Sequence, residues 1–223
     1  MRKGLGIAPL KLICSRIAGR YDLQHGLLTA KSDQRGRRMV VEKTVRAGDD
    51  VLDAGAGTGS AGLLAARKTG AGGSVTLFDL SDEMLGQART KAAMDDVETR
   101  LVFETGDMCQ LPFADDSFDA VISTYSLCPL YDPDQGALEM YRVVKPGGRI
   151  GIAHSAVPAK PLVRWLADGV EEIAWKIPSL SMGCRAVDVA PVLKKAGGPV
   201  ILDMMIGVPL WPFRVLVVEK SGE

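Results

Sequence analysis

Three carboxylates each close an apolar run in this chain: Asp53, Asp79 and Asp107. The first is followed at alternate positions by Gly55, Gly57 and Gly59, within DVLDAGAGTGS at 50–60. Glycine accepts positive φ and lets backbone pass where a Cβ would obstruct, so this turn is built for a close approach. A carboxylate accepts hydrogen bonds from hydroxyls and amines. His154, at the end of a fifth apolar run, is a group that titrates near neutral pH. Carboxylates at strand ends, a glycine turn and one histidine describe a ligand site rather than a surface.

Two ligand classes compete for it. Gly57, Gly59 and Gly62 match the G-x-G-x-x-G spacing of dinucleotide sites, which makes a nicotinamide-dependent oxidoreductase the rival reading. Such sites lay a pyrophosphate on the following helix N-terminus, where the Asp53 charge would repel it. A ligand bringing a cationic amine suits Asp53 better, and S-adenosylmethionine carries both an ammonium and a sulfonium. Asp79, 20 residues after Gly59, is placed for ribose hydroxyls, which both ligands have. Asp107 and the Met108 amide, in GDM at 106–108, would offer an acceptor and a donor to an adenine edge. A second mononucleotide-binding half is absent, because the chain finishes on two adjacent apolar runs. A non-catalytic cofactor-binding protein on the same scaffold is the third reading.

The elements that must hold these residues alternate. Residues 7–30 read as mostly helical, with a polar interruption at 19–26, and a second helix runs from Ser32 to Arg46. Strands are expected at DDVLDA, SVTLFDL, RLVFETGD, FDAVISTY and RIGIAHS, with helices after the glycine turn, after the Ser81 cap, and from Pro133 to Val144. KPGG at 145–148 should stop that last helix. Strands alternating with helices imply a parallel sheet covered on both faces, an α/β fold. Residues 159–177 then read as an amphipathic helix and Ala186 to Ala196 as another, before PVILDMMIG and FRVLVVEK, spaced like a hairpin.

Composition excludes several classes. The chain has 223 residues, room for one domain with a substantial core. Its formal net charge is zero, so nothing indicates a nucleic-acid partner. Basic residues gather near the start and at Arg35, Arg37 and Arg38, which reads as a solvated face or as weak attraction to an anionic surface or substrate. The four cysteines form no CxxC pair, so no metal site is expected, and scattered thiols without a secretory signal suggest a cytoplasmic protein. No apolar run is long enough to span a bilayer.

VLDAGAGTG, Asp79, GDMCQLPFADDSFDAVIST and YRVVKPGGRIGI together resemble the class I S-adenosylmethionine-dependent methyltransferases. The group most similar in these motifs is that of ubiquinone and menaquinone biosynthesis, over about residues 15–155. GRYDLQHGLLT at 19–29 resembles that group's N-terminal segment, which closes over the cofactor. The resemblance implies a Rossmann-like, doubly wound seven-stranded sheet with an antiparallel last strand. It divides a single domain into a helical cap (1–46), a cofactor-binding core (47–155), a helical substrate lid (156–198) and a C-terminal strand pair (199–223). It also implies roles: Asp53, Gly55, Gly57 and Gly59 for the methionine part, Asp79 for the ribose with Leu80 beside the adenine, Asp107 and Met108 for the adenine, and Ser123 at the sulfonium end. Ala153-His154 and STYSLCPLYDP depart from that group's pattern, and both bear on the acceptor rather than the cofactor.

Methyl transfer from a sulfonium needs alignment more than acid–base help, and a base only where the acceptor starts protonated. His154 is the candidate base against a pocket-shaping role, and His25 the weaker one. Tyr21 is expected as a lid residue over cofactor or substrate, and Tyr125 as a substrate contact. Cys128 reads as inert packing. Trp165, Trp175, Leu180 and Met182 suggest either a lid core or a small apolar substrate, a quinone precursor or lipid-like molecule, with transient membrane-surface contact as a further expectation.

Overall fold

The computed structural model describes residues 6–22, 26, 32–158, 161–165, 167, 169, 186–208 and 211–222. Helix α1 (Ile7–Ile17) runs into a 3-10 turn (Ala18–Arg20), and α2 (Ser32–Thr44) leads to strand β1 (Asp50–Ala54). Then come α3 (Ser60–Thr69), β2 (Ser74–Asp79), α4 (Asp82–Ala93), β3 (Arg100–Thr105) and β4 (Phe118–Thr124). After these, α5 (Pro133–Val143), β5 (Val144–Ser155), α6 (Ala190–Lys195), β6 (Val200–Val208) and β7 (Trp211–Glu219) complete the chain.

The strands form a seven-stranded sheet in the order β3-β2-β1-β4-β5-β7-β6. The β1, β2, β3, β4 and β5 pairings are parallel, and β7 runs antiparallel to both β5 and β6. This is the Rossmann-like architecture expected, including the antiparallel end. It also separates the chain from the all-parallel 3-2-1-4-5-6 order of dinucleotide-binding sheets.

Alternation along each strand makes two cores. Val51, Val75, Leu77, Ile122 and Val215 pack under α2, α3 and α4. Leu52, Phe78, Val121, Ile152 and Leu216 pack under α5 and α6. β1, β2 and β4 are buried nearly throughout, which is why they read as continuous apolar runs.

Two boundaries differ from expectation, and a third lies outside the described residues. β5 begins at Val144 and carries KPGG within it, because Phe118 pairs with Val144 before a register shift to Arg149. The helix expected from Ala186 starts at Ala190, where the Asp188 side chain accepts the Ala190 amide at 3.0 Å. Residues 161–165 are helical, but 170–185, with Trp175, Leu180 and Met182, lie outside the described residues, as does His25.

Candidate functional site

The carboxyl ends of β1, β2 and β4 open into a cavity, with α1 and α2 forming its roof. Its apolar wall includes Leu10, Ile17, Leu80, Met84, Pro129 and Leu130. Its polar floor is the turn after β1. Gly55, at φ 76°, accepts the Ser126 hydroxyl on its carbonyl at 2.6 Å, and a Cβ there would lie 2.3 Å from the Ser126 Cβ. Gly57, at φ 54°, lines the cavity, and a Cβ on it would meet no protein atom within 4 Å. Gly59 has a different task. It caps α3, and a Cβ there would press on Ala88 at 2.8 Å, so its bareness serves packing of α3 against α4.

Asp79 joins the strand-two end to this turn. Its Oδ2 accepts the Gly57 amide at 2.8 Å and its Oδ1 the Ser81 amide at 2.9 Å. Burial raises its carboxyl, while the backbone amides of Ser81 and Gly57 pull the other way. Asp107 stands across the cavity at the end of β3. Its Oδ1 accepts the Cys109 amide at 2.9 Å, and its Oδ2 accepts the Tyr131 hydroxyl at 2.7 Å. Met108 and Leu80 line the space between these carboxylates. Both carboxylates keep unused lone pairs for a ligand's hydroxyls or amine.

The N-terminal segment is tied to the same turn. Tyr21 lines the cavity, and its neighbour Asp22 accepts the Thr58 hydroxyl at 2.7 Å and the Lys91 ammonium at 2.5 Å. Tyr125 also lines the cavity, buried, with a left-handed φ of 61°. Burial raises its hydroxyl, so it stays protonated. Cys14, on the wall, is likewise pushed up to about 12 by burial.

Besides Gly59, three further expected site residues do not line this cavity: Asp53, Ser123 and His154. Strand alternation is the reason. Asp53 shares the face of Val51 and turns beneath α3, where Gly62 would bring a Cβ within 3.0 Å of its Oδ2. Neither of its oxygens has a hydrogen bond of good geometry among the described residues, and burial pushes the carboxyl up to about 7 against a weaker pull from the Gly62 amide. Its carboxylate therefore offers no direct contact to a cationic group of a ligand in this cavity.

Ser123 and His154 turn toward the α5–α6 face, the side of Ile152. At the end of β4 it is Thr124, Tyr125 and Ser126 that reach the cavity. His154 is fully buried, and its Nδ1 lies 2.9 Å from the Ser155 carbonyl. A carbonyl only accepts, so Nδ1 carries the hydrogen and Nε2 is a bare lone pair without a partner among the described residues. Burial lowers its pKa, keeping the ring neutral.

Arg37 went unrecognised as a site residue because it stands among exposed neighbours, Arg35 and Arg38. It is itself 4% exposed and lines the cavity. The signal that finds it is the inward helical stripe Asp33, Arg37, Val40, Val41 and Thr44. Tyr131 was missed for want of any pattern, since it reaches Asp107 from a loop.

Among the described residues, no group of His, Cys, Asp and Glu could hold a metal, and no helix is long and apolar enough to cross a membrane.

Residues 51–148 match the model of a methyltransferase domain. The chain is 38% identical over 168 residues to a demethylmenaquinone methyltransferase of Clavibacter sepedonicus, covering 74% of this chain and 66% of that one. It is 36% identical over 151 residues to the ubiquinone/menaquinone biosynthesis C-methyltransferase UbiE of Geotalea daltonii, covering 67% and 64%. A putative methyltransferase from Bacillus halodurans superposes with a TM-score of 0.68 at 16% identity, over 83% of this chain and 99% of that one, which shows the shared fold. The chain spans a little under two thirds of the length of the curated relatives it matches.

Proposed function

We propose that the chain is a class I S-adenosylmethionine-dependent methyltransferase that methylates a small apolar acceptor of the quinol type. The relatives' names supply the acceptor class, and the apolar cavity wall supports it. The observation that carries the reading is an open glycine bonded to a carboxylate. Gly57 leaves space where a Cβ would intrude, and its amide fixes Asp79 beside that space.

The residues fit the cofactor. Gly55 and Gly57 would admit its amino-acid chain, Asp79 would accept from ribose hydroxyls, and Asp107 with the Met108 amide would take the adenine edge. When bound, S-adenosylmethionine supplies a methyl group already activated on a sulfonium. The protein's part is then orientation and exclusion of water. Leu10, Ile17, Met84 and Leu130 make a dry wall, and a fixed geometry replaces the entropy cost of an encounter. Tyr125 and Cys14 keep their protons, so the wall presents neither phenolate nor thiolate to compete for the methyl group.

The test is a calorimetric titration with S-adenosylhomocysteine and NAD, followed by labelled methyl transfer to a short-chain demethylmenaquinol. Binding of NAD alone would sink the proposal, and homocysteine-nucleoside binding without transfer to any quinol would sink the acceptor class. Contact with a lipid surface is part of the same proposal, supported by Leu162 and Trp165, each 71% exposed. Failure to co-sediment with anionic vesicles would remove that part.

A further inference from the structure

Arg37 is a cation placed where cations are costly. It is 4% exposed and pairs with Asp33, itself 1% exposed, one turn earlier on α2. The guanidinium Nη1 donates to Asp33 Oδ2, and among the described residues this is its one hydrogen bond. A guanidinium has five N–H donors in a fixed fork. Leaving most of them unmatched in a buried position is expensive, unless a ligand supplies acceptors.

The surroundings hold the group in one orientation. Its Cζ sits 5.2 Å from the Tyr125 ring centroid, and Phe213 meets that ring edge-on, also at 5.2 Å. The Tyr125 hydroxyl donates to the Asp33 carbonyl at 3.3 Å, and α2 packs so closely that a Cβ on Gly36 would lie 2.3 Å from that hydroxyl. Tyr125 adopts φ 61° to do this, a strained backbone for a tyrosine and of the kind retained at functional sites. Asp33 takes one edge of the guanidinium and Tyr125 lies against its plane. The cavity, which both Arg37 and Tyr125 line, borders what remains.

We propose that Arg37 is an anion-recognition group, whose free guanidinium edge takes a carboxylate-type oxygen of the molecule bound in the cavity. Arg suits this because its fork matches a carboxylate bidentately, as an ammonium cannot. The inference rests on the function proposed above. Two bound molecules could bring such an oxygen: the amino-acid carboxylate of S-adenosylmethionine, or an acidic hydroxyl of the acceptor in its ionised form.

The experiment compares the parent with Arg37→Gln and with the double variant D33N/R37Q, which removes both charges of the buried pair together. Each is titrated with S-adenosylmethionine and with its decarboxylated form, and acceptor KM is measured with a short-chain demethylmenaquinol. If the cofactor's carboxylate is the partner, affinity for S-adenosylmethionine falls by about 10- to 100-fold while that for the decarboxylated form stays within about twofold. If the acceptor's oxygen is the partner, both nucleosides bind as before and acceptor KM rises by about 10-fold or more. Equal losses for both nucleosides, or no change in any of the three quantities, overturn the inference. A parent that binds neither nucleoside refutes the proposed function instead.

Discussion

The backbone amide of Gly57 donates to Asp79 Oδ2 at 2.8 Å, which makes the turn after β1 and the carboxylate after β2 one unit. The register explains it. β1 and β2 pair in parallel with Ala54 opposite Phe78, so both strands end together and the residues just beyond them face each other. The Gly55 and Ala56 amides both return to the Phe78 carbonyl, at 2.8 and 3.0 Å, and hold the turn against the strand.

From that unit the first prediction follows. Asp79→Ala removes the acceptor for the Gly57 and Ser81 amides and the proposed ribose contact together. Affinity for S-adenosylhomocysteine should weaken by about 1.5–3 kcal/mol, the range for hydrogen bonds to a charged group. Calorimetry at constant pH checks this, and unchanged affinity would remove Asp79 from the site.

The three turn glycines should separate by effect. Gly59→Ala forces a Cβ against Ala88 and Leu77 at φ 79°, so it should cost about 2–4 kcal/mol of stability and little intrinsic affinity. Gly57→Ala meets no protein atom, so its stability cost should stay near the 1–2 kcal/mol of the left-handed backbone alone. Its main effect should be on ligand affinity. Urea denaturation beside ligand titration distinguishes them, and identical profiles would contradict the division of labour.

How much of this was legible beforehand depends on what a linear pattern can carry. Asp79 and Asp107 were readable because a parallel sheet puts its sites beyond the carboxyl ends of its strands, and apolar runs mark where strands end. Face was harder. Asp53 was placed in the site by its strand end and its charge, and Ser123 by the family resemblance, yet residue parity sends Asp53 under Gly62 and Ser123 toward Ile152. Arg37 was hidden because its neighbours in sequence are solvated, and only the helical period of α2 separates it from them. The Tyr131–Asp107 contact and the Asp22–Thr58 tie are made between loops or termini, where no periodicity exists to read.

Asp53 should make stability depend on pH. Its carboxyl is raised to about 7 in the fold by burial, against 3.8 ordinarily. Between about pH 4 and 7 the native state holds a proton that the unfolded chain has lost, so stability falls as pH rises through that window and levels off above it. The penalty at pH 8 should be about 2–4 kcal/mol. Asp53→Asn should abolish the slope and be the more stable protein at pH 8. Parallel pH profiles for parent and variant, by urea denaturation, would show that Asp53 ionises freely in the fold.

His154 should act in the opposite sense. Burial lowers its pKa below the ordinary 6.5, with the Ser155 carbonyl bond as a smaller opposing effect. Below pH 6.5 the unfolded chain takes up a proton that the native ring refuses, so this residue's contribution falls as pH drops from 6.5 toward the folded value. His154→Gln should flatten that acid-side loss while leaving the Asp53 slope in place, which separates the two groups within one protein. Nitrogen NMR should show a neutral ring protonated on Nδ1 that does not titrate near 6.5. Turnover bears on its role. A ring turned to the α5–α6 face, off the cavity, should lower kcat by less than about tenfold when replaced. A general base contributes about 100- to 10,000-fold, so a loss on that scale with cofactor affinity intact would bring His154 back to the reacting atoms.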